Sequence, residues 1–400
     1  MSSYTGSPKT LCRTFVRQRS GRKIPDEVRI KAILSPEQAI FRDLNTPALV
    51  VDFRALQANI ARMSETARRA GLALRPHAKT HKSQEIAVLQ IRAGAVGIAC
   101  ATVEEAEMLA EAGIGGLLLT APVMAETKFS RIAKIHRERG ITVVVDHPHQ
   151  VKGFASKLEI GDRPLPVVVD IDVGQRRTGV ISVADAVRLA QVVAAERKFE
   201  FAGIQGYAGH AQHIVESGQR RIATSAAADL VREIAEALYH AGFKSRLVTG
   251  SGTGTFQQDC HGPYNELQVG SYVFMDADYA RVVDEAGAGP PFEPSLFALA
   301  TVVSVNRPGE VTVDAGTKAL ATNGPPPCHI VGAAAGSTYR FAGDEHGIVA
   351  TPPGQMSPAL GDRLLIGATH CDPTVNLHAR YHVVAEGQMQ TWQIRGRYGA

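Results

Sequence analysis

The sequence predicts an α/β protein, a TIM-type (β/α)8 barrel followed by a C-terminal β domain. Three observations lead there. From residue 46, short β-branched apolar runs alternate with segments whose apolar residues recur at helical spacing. Eight such runs occur before residue 285, the number and span that a barrel of about 250 residues needs. Beyond that point the helical spacing stops, and strands joined by Gly/Pro-rich turns follow.

Taken in order, residues 1–45 read as a leader. Lys9, Arg13, Arg17, Arg19, Arg22 and Lys23 precede the first acid, Asp26, and no apolar helical face accompanies them. This fits a disordered basic segment better than a transit peptide. Residues 46–285 form the barrel, with strands expected at TPALVVD (Thr46), LALRPHAK (Leu72), AVGIACA (Ala95), GLLLTAP (Gly116), ITVVVDHP (Ile141), LPVVVDID (Leu165), FAGIQGY (Phe201) and RLVTGSG (Arg246). Helix-like stretches such as LQANIARMSETARRAG lie between them, several ending in the glycine that a helix C-cap favours. An open doubly wound sheet is the rival, but no GxGxxG fingerprint follows the first strand. Residues 286–400 form the β domain, expected to lack amphipathic helices.

The 400 residues are 44% hydrophobic and 20% charged, which excludes disordered and fibrous classes. A net charge of +4, from 43 basic and 39 acidic residues spread along the chain, is too diffuse for a nucleic-acid groove. Five scattered cysteines without a secretory signal argue against a disulfide framework and for a reducing, cytoplasmic setting. No apolar run reaches the ~18 residues that span a bilayer, so no membrane partner is expected.

Barrel chemistry belongs at the C-terminal ends of the strands, where the loops share one mouth. RPHAKTHK ends the second strand there. Strand alternation would put His77, Lys79 and His81 on one face and Lys82 on the other. A lysine among imidazoles is a candidate Schiff-base former, because desolvation and nearby positive charge would lower its pKa toward the neutral amine. At the eighth strand, Gly250, Gly252 and Gly254 in VTGSGTGTF let backbone N–H groups turn around an anion, phosphate being the obvious guest. A lysine on an early strand and a phosphate cradle on the last would hold opposite ends of one pyridoxal phosphate. Arg177 in DVGQRRTG offers a fixed cation for a phenolic oxygen, with an ion pair to Asp172 as its alternative. In ATHCDPTVNLH, His370 and Asp372 sit two apart on an extended segment, so both project one way while Cys371 faces elsewhere. Imidazole plus carboxylate suits Mn, Mg or Zn, and only two protein ligands leave positions open for substrate. His378 is a further ligand or a surface residue.

These segments, in this order, resemble the D-threonine aldolase and D-serine dehydratase-like family, whose fold is the barrel and β-domain pair of alanine racemase (fold type III). The likeness spans residues 46 to about 398 and joins TPALVVD, RPHAKTHK, DVGQRRTGV, GSGTGT, YNELQVGSYVFMDADY, DEHG and HCDPTVNLH. It implies pyridoxal 5'-phosphate on Lys79, cofactor contacts from Arg177, Tyr207, Gly252, Thr253 and Tyr264, and a divalent metal on His370 and Asp372. The aldolases resemble this chain in using His-x-Asp, where the dehydratases use His-x-Cys; here Cys371 lies one place too early. The chain departs from the family pattern at Ala101, where Gln is frequent, and in AGHAQH, where the helper imidazole is His213 or His210.

The resemblance implies a metal-dependent lyase, a D-threonine aldolase type that cleaves a D-β-hydroxy-α-amino acid to glycine and an aldehyde. His213 or a metal-bound hydroxide would serve as the base. A D-3-hydroxyaspartate aldolase and a dehydratase of D-serine or D-3-hydroxyaspartate are the alternatives. A non-catalytic pyridoxal-phosphate carrier is the alternative of a different class, and the β domain argues against it. Alanine racemase-like folds also imply a homodimer.

Overall fold

A computed structural model describes residues 34–36 and 38–398 of the chain, so the basic leader expected at residues 1–23 lies outside the described residues. Residues 34–45, grouped with that leader from sequence, are partly packed. Leu34 and Phe41 are buried against Val50, Phe297, Leu299 and Leu365, and Arg363 donates to the carbonyls of Phe41 and Leu44 at 2.6 and 2.7 Å.

The strands are β1 (Ala48–Asp52), β2 (Ala73–Leu74), β3 (Ala99–Cys100), β4 (Leu117–Leu119), β5 (Ile141–Val145), β6 (Leu165–Ile171), β7 (Phe199–Gly206), β8 (Leu247–Gly250) and β9 (Glu266–Leu267). In the second half come β10 (Leu296–Arg307), β11 (Glu310–Val313), β12 (Ile330–Val331), β13 (Thr338–Phe341), β14 (Gly347–Ala350), β15 (Arg363–Gly367), β16 (Arg380–Ala385) and β17 (Gln388–Gln393). Eight strands form a parallel sheet in the order β2-β9-β8-β7-β6-β5-β4-β3. A parallel bridge from His77 to Ala99 joins the two outer strands, so the sheet curls into the expected barrel.

The barrel's membership differs from the sequence reading. TPALVVD is not its first strand: β1 pairs antiparallel with β10 and parallel with β16, in the middle of the second sheet. All five of its residues are buried, as a strand covered on both faces requires. The eighth place belongs to β9, which pairs with β8 and β2. It is two residues long and carries Glu266, so it offers no apolar run to read.

The helices are α1 (Phe53–Ala70), α2 (Gln84–Arg92), α3 (Val103–Glu111), α4 (Glu126–Glu138), α5 (Pro148–Ala155), α6 (Val183–Ala195), α7 (Ser217–His240), the short α8 (Phe256–Asp259) and α9 (Cys371–Asn376). Local chemistry sets their ends. Asp52 caps α1 by accepting from Ala55 N at 3.0 Å, and Gly71 ends it at φ +69°, a conformation costly for any residue with a Cβ. On its inner face Leu56, Ile60 and Met63 are buried at helical spacing; truncating Met63 to Ala would cost about 2–5 kcal/mol.

The outer shell of the barrel is apolar, with Val143, Val145, Val167, Val169 and Ile204 in one cluster. A polar chain also runs among the strands. Arg75 pairs with Glu266 at 2.8 Å, Thr249 donates to Glu266 at 3.0 Å, Gln268 donates to Gln205 at 3.1 Å, and Gln205 donates to Asp170 at 2.8 Å. Each of these six buried or half-buried polar side chains is thereby partnered.

Candidate active site

RPHAKTHK does not stay extended as its alternation suggests. After β2 the chain folds into a 3-10 turn, Ala78–Thr80, in which His77 Nδ1 accepts from Lys79 N at 3.3 Å. His77 Nε2 faces Thr120 Oγ1 at 3.1 Å. Burial, reinforced by the Lys79 charge, pushes the His77 pKa well down. Burial likewise takes His81 down to about 3. Both imidazoles are therefore neutral at physiological pH. Lys79 behaves the opposite way to expectation: the Asp372 carboxylate raises its pKa above the ordinary lysine value, outweighing desolvation. Its Nζ lies 3.3 Å from Asp372 Oδ2, with the side chain 40% exposed. The sequence offered no hint of this counter-charge, which arrives from a segment 293 positions later in the chain.

At the far side of the mouth, Gly252 and Thr253 lie in a buried turn after β8. Among the described residues, no acceptor faces either amide N–H. Gln212, which sequence reasoning missed, supports the turn. It is fully buried, accepts from Gly254 N at 3.0 Å and donates to Thr255 Oγ1 at 2.9 Å. A Cβ at Gly252 would come within 2.4 Å of its side-chain amide, so any larger residue there would push Gln212 off the turn it supports. Tyr264 lies beside this turn, its hydroxyl donating to Gly206 O at 2.9 Å. Burial pushes that phenol well above its ordinary value. Arg177 does not pair with Asp172. Its guanidinium carbon stands 5.8 Å from the Tyr207 ring centroid, and Asp172 instead accepts from Gly174 N and Arg176 N at 3.0 and 2.9 Å.

The β domain supplies the third side. His370 is extended, but the chain then turns helical, so the all-extended HxD of the sequence reading is replaced by a helix start. Thr374 Oγ1 donates to His370 O at 2.7 Å, and Asp276 accepts from Cys371 N at 2.8 Å. Asp372 therefore reaches Lys79, while Cys371 is buried. Burial alone would raise the Asp372 carboxyl, but the Lys79 and His370 charges hold it below the usual carboxylate range. Ser271 donates to Asp372 at 3.3 Å, and Asn323 Nδ2 lies 2.9 Å from His370 Nδ1. His378 is half-buried, its Nε2 lying 2.9 Å from Ala319 O.

Of the two candidate helper imidazoles, His213 stands with its ring centroid 6.0 Å from that of His370, whereas His210 packs on Gly174. His213 Nδ1 is 2.8 Å from Asp278 Oδ2, and its ring leans on Tyr279 at 4.9 Å. Asp278 also escaped sequence reasoning, because nothing in FMDADY says which carboxylate turns toward the mouth. The arrangement can anchor an aldehyde-bearing cofactor on an amine, hold an anion on backbone N–H groups and present an oriented imidazole beside a carboxylate.

Residues 51–278 match the family described as alanine racemase, N-terminal domain, and residues 295–384 match a serine dehydratase domain. A D-threonine aldolase from an Arthrobacter species is 38% identical over 356 residues, 88% of this chain and 93% of that protein. The chain belongs to the D-threonine aldolase and D-serine dehydratase-like family. A 3-hydroxy-D-aspartate aldolase from Paracoccus denitrificans is 35% identical, over 89% of this chain and 92% of its own. The solved D-threonine aldolase from Filomicrobium marinum superposes with a TM-score of 0.82 at 36% identity, covering 88% of this chain and 95% of the other. This member of the family is an enzyme, a carbon–carbon lyase of the aldolase type with the alanine racemase-like fold, and the family uses pyridoxal phosphate. That excludes the carrier alternative.

Proposed function

We propose that this enzyme cleaves a D-β-hydroxy-α-amino acid of the D-threonine type to glycine and an aldehyde, using pyridoxal 5'-phosphate on Lys79 and a divalent metal, Mn, Mg or Zn, on His370 and Asp372. One observation carries the reading: the barrel's lysine and the β domain's carboxylate meet at 3.3 Å. The residues fit both groups. Two buried amides, Gly252 and Thr253, lack acceptors among the described residues and suit a phosphate, with Arg177, Tyr207 and Tyr264 as further cofactor contacts. No three His, Cys, Asp or Glu side chains gather among the described residues. A two-residue set of imidazole and carboxylate fits a metal whose other positions water and substrate fill.

The cofactor, when bound, supplies an electron sink for the charge left at Cα when the bond to Cβ breaks. The metal, when bound, supplies a positive charge that acidifies the substrate hydroxyl. The chain's own residues do the rest. Asp278 accepts from His213 Nδ1–H, which leaves Nε2 free to take the β-hydroxyl proton. Neutral His77 holds the Lys79 turn without adding charge.

A dehydratase using the same parts is the second reading, and Asp372 in the ligand position, with Cys371 one place early and buried, favours the aldolase. D-3-hydroxyaspartate is the alternative aldolase substrate. We further propose that the enzyme is a cytoplasmic homodimer; no helix among the described residues is long and apolar enough to cross a membrane.

The deciding experiment assays D-threonine, D-3-hydroxyaspartate and D-serine side by side, with and without chelator. Glycine plus aldehyde, lost on chelation and restored by metal, is expected. Keto acid plus ammonia would overturn the aldolase reading in favour of the dehydratase.

A further inference from the structure

Lys82, three residues after Lys79, is an anomaly that the proposed chemistry does not use. It is 8% exposed, and its partner Glu105 is 1% exposed. Lysine is rarely buried so completely unless paired. Its backbone sits at φ +47°, a left-handed conformation that a residue with a side chain adopts only when its surroundings hold it there. That conformation closes the turn around Lys79, for Lys82 N donates to Ala78 O at 2.7 Å.

Every polar atom of Lys82 is engaged. Its Nζ bonds Glu105 Oε1 and, at 3.3 Å, the carbonyl of Gly396. Its own carbonyl accepts from Arg395 N at 2.9 Å. One residue earlier, the His81 carbonyl accepts from Tyr381 Oη of β16 at 2.6 Å. The second oxygen of Glu105 accepts from Ala101 N at 2.7 Å, locking the start of α3 to the same point. The tail lies flush against α3: a Cβ at Gly396 would sit 3.0 Å from Glu105 Cα. Lys79, by contrast, is held at its head by Asp372 alone among the described residues, and its side chain is 40% exposed. Its placement is therefore set by its backbone, and its backbone is set by this cluster.

We propose that Lys82 is a positioning residue for Lys79, a buried pin through which α3 and the tail Arg395–Gly396 fix the turn that presents the reactive amine. The inference rests on the reading of Lys79 as the cofactor-bearing lysine. A buried ion pair is a weak source of stability compared with a well-packed apolar pair, which fits a role in geometry. A displacement of about 1 Å at a reacting group can cost about a hundredfold in rate.

The test uses Lys82→Met, Lys82→Arg and a chain ending at Ile394, each loaded with pyridoxal phosphate and studied well below its unfolding midpoint. Lys82→Met and the shortened chain should lose about 10- to 100-fold in kcat, keep KM within about twofold, need more pyridoxal phosphate for half-saturation and show a weakened visible imine band. Lys82→Arg should recover most of both band and rate. The pin is refuted if the folded variants keep band, half-saturation and kcat while only the midpoint falls. Should Lys82→Met not fold, the shortened chain decides by the same readouts. Lys79→Ala separates the two layers: an imine band surviving there refutes the reading of Lys79, whereas a band lost there but intact in Lys82→Met refutes the pin alone.

Discussion

Lys79 and Arg177 both bring positive charge to the barrel mouth, on supports of opposite construction. The Lys79 turn is gripped from three directions: by buried His77 from within, by buried Glu105 from α3, and from the C-terminal half by buried Tyr381, the Gly396 carbonyl and the backbone N–H of Arg395. The Arg177 loop is largely exposed and hangs from carboxylates close to it in the barrel. Asp172 accepts from Gly174 N and Arg176 N, Asp170 from Thr178 Oγ1 at 2.7 Å, and Asp146 from Gly179 N at 3.0 Å. A group that must form and reform a covalent bond needs a fixed origin. A counter-charge needs only to be near, and an ionisable suspension suffices for it.

The largest effect that would break this contrast is at Lys79 itself. Lys79→Ala should abolish the visible imine band and lower turnover by about 10³-fold or more; full turnover in that variant would end the proposal. Next comes Asp278→Asn. An amide there favours the wrong imidazole tautomer at His213, so kcat should fall about 10²-fold or more with KM little changed. Equal kcat in the variant and the parent enzyme would remove His213 from the chemistry.

The suspension of the Arg177 loop predicts a pH effect. Burial raises the Asp170 carboxyl to about 6, against the bonds from Gln205 and Thr178 that favour its charge. A raised acid is favoured protonated in the folded state. Its contribution is therefore complete below the ordinary value of 3.8 and is lost as pH climbs to about 6. Two pH units correspond to about 3 kcal/mol. Denaturant titrations of the parent enzyme and Asp170→Asn should diverge between pH 4 and 7, with the variant gaining relative stability; a flat difference would contradict the assignment. The smallest effect sharpens the other side. Tyr381→Phe removes one buried hydrogen bond to the Lys79 turn and should cost about 1 kcal/mol in unfolding free energy, measurable by the same titration.

Much of this was legible in the chain. The end of the second strand announced His77 and Lys79, because the apolar run stops where RPHAKTHK begins. The glycine turn was legible from Gly250, Gly252 and Gly254, since only their spacing was needed. Three things were not. The pairing of β1 with β10 and β16 depends on residues about 250 and 330 positions away, which local pattern cannot reveal. Strand β9 is too short and too polar to register. The charge state of Lys79 was misjudged because its neighbours in sequence are imidazoles, silenced by burial, whereas its neighbour in space is Asp372.

The seating of β1 between β10 and β16 has a consequence for how the polypeptide matures on the ribosome. Ala48–Asp52 emerges early, yet both strands that flank it are synthesised only after the barrel is complete. Until then this apolar ribbon has two bare edges, the kind of surface that recruits strands from other molecules. A nascent chain stalled near residue 285 would hold a finished barrel with a sticky appendage, so premature termination should yield aggregates rather than a stable half-protein.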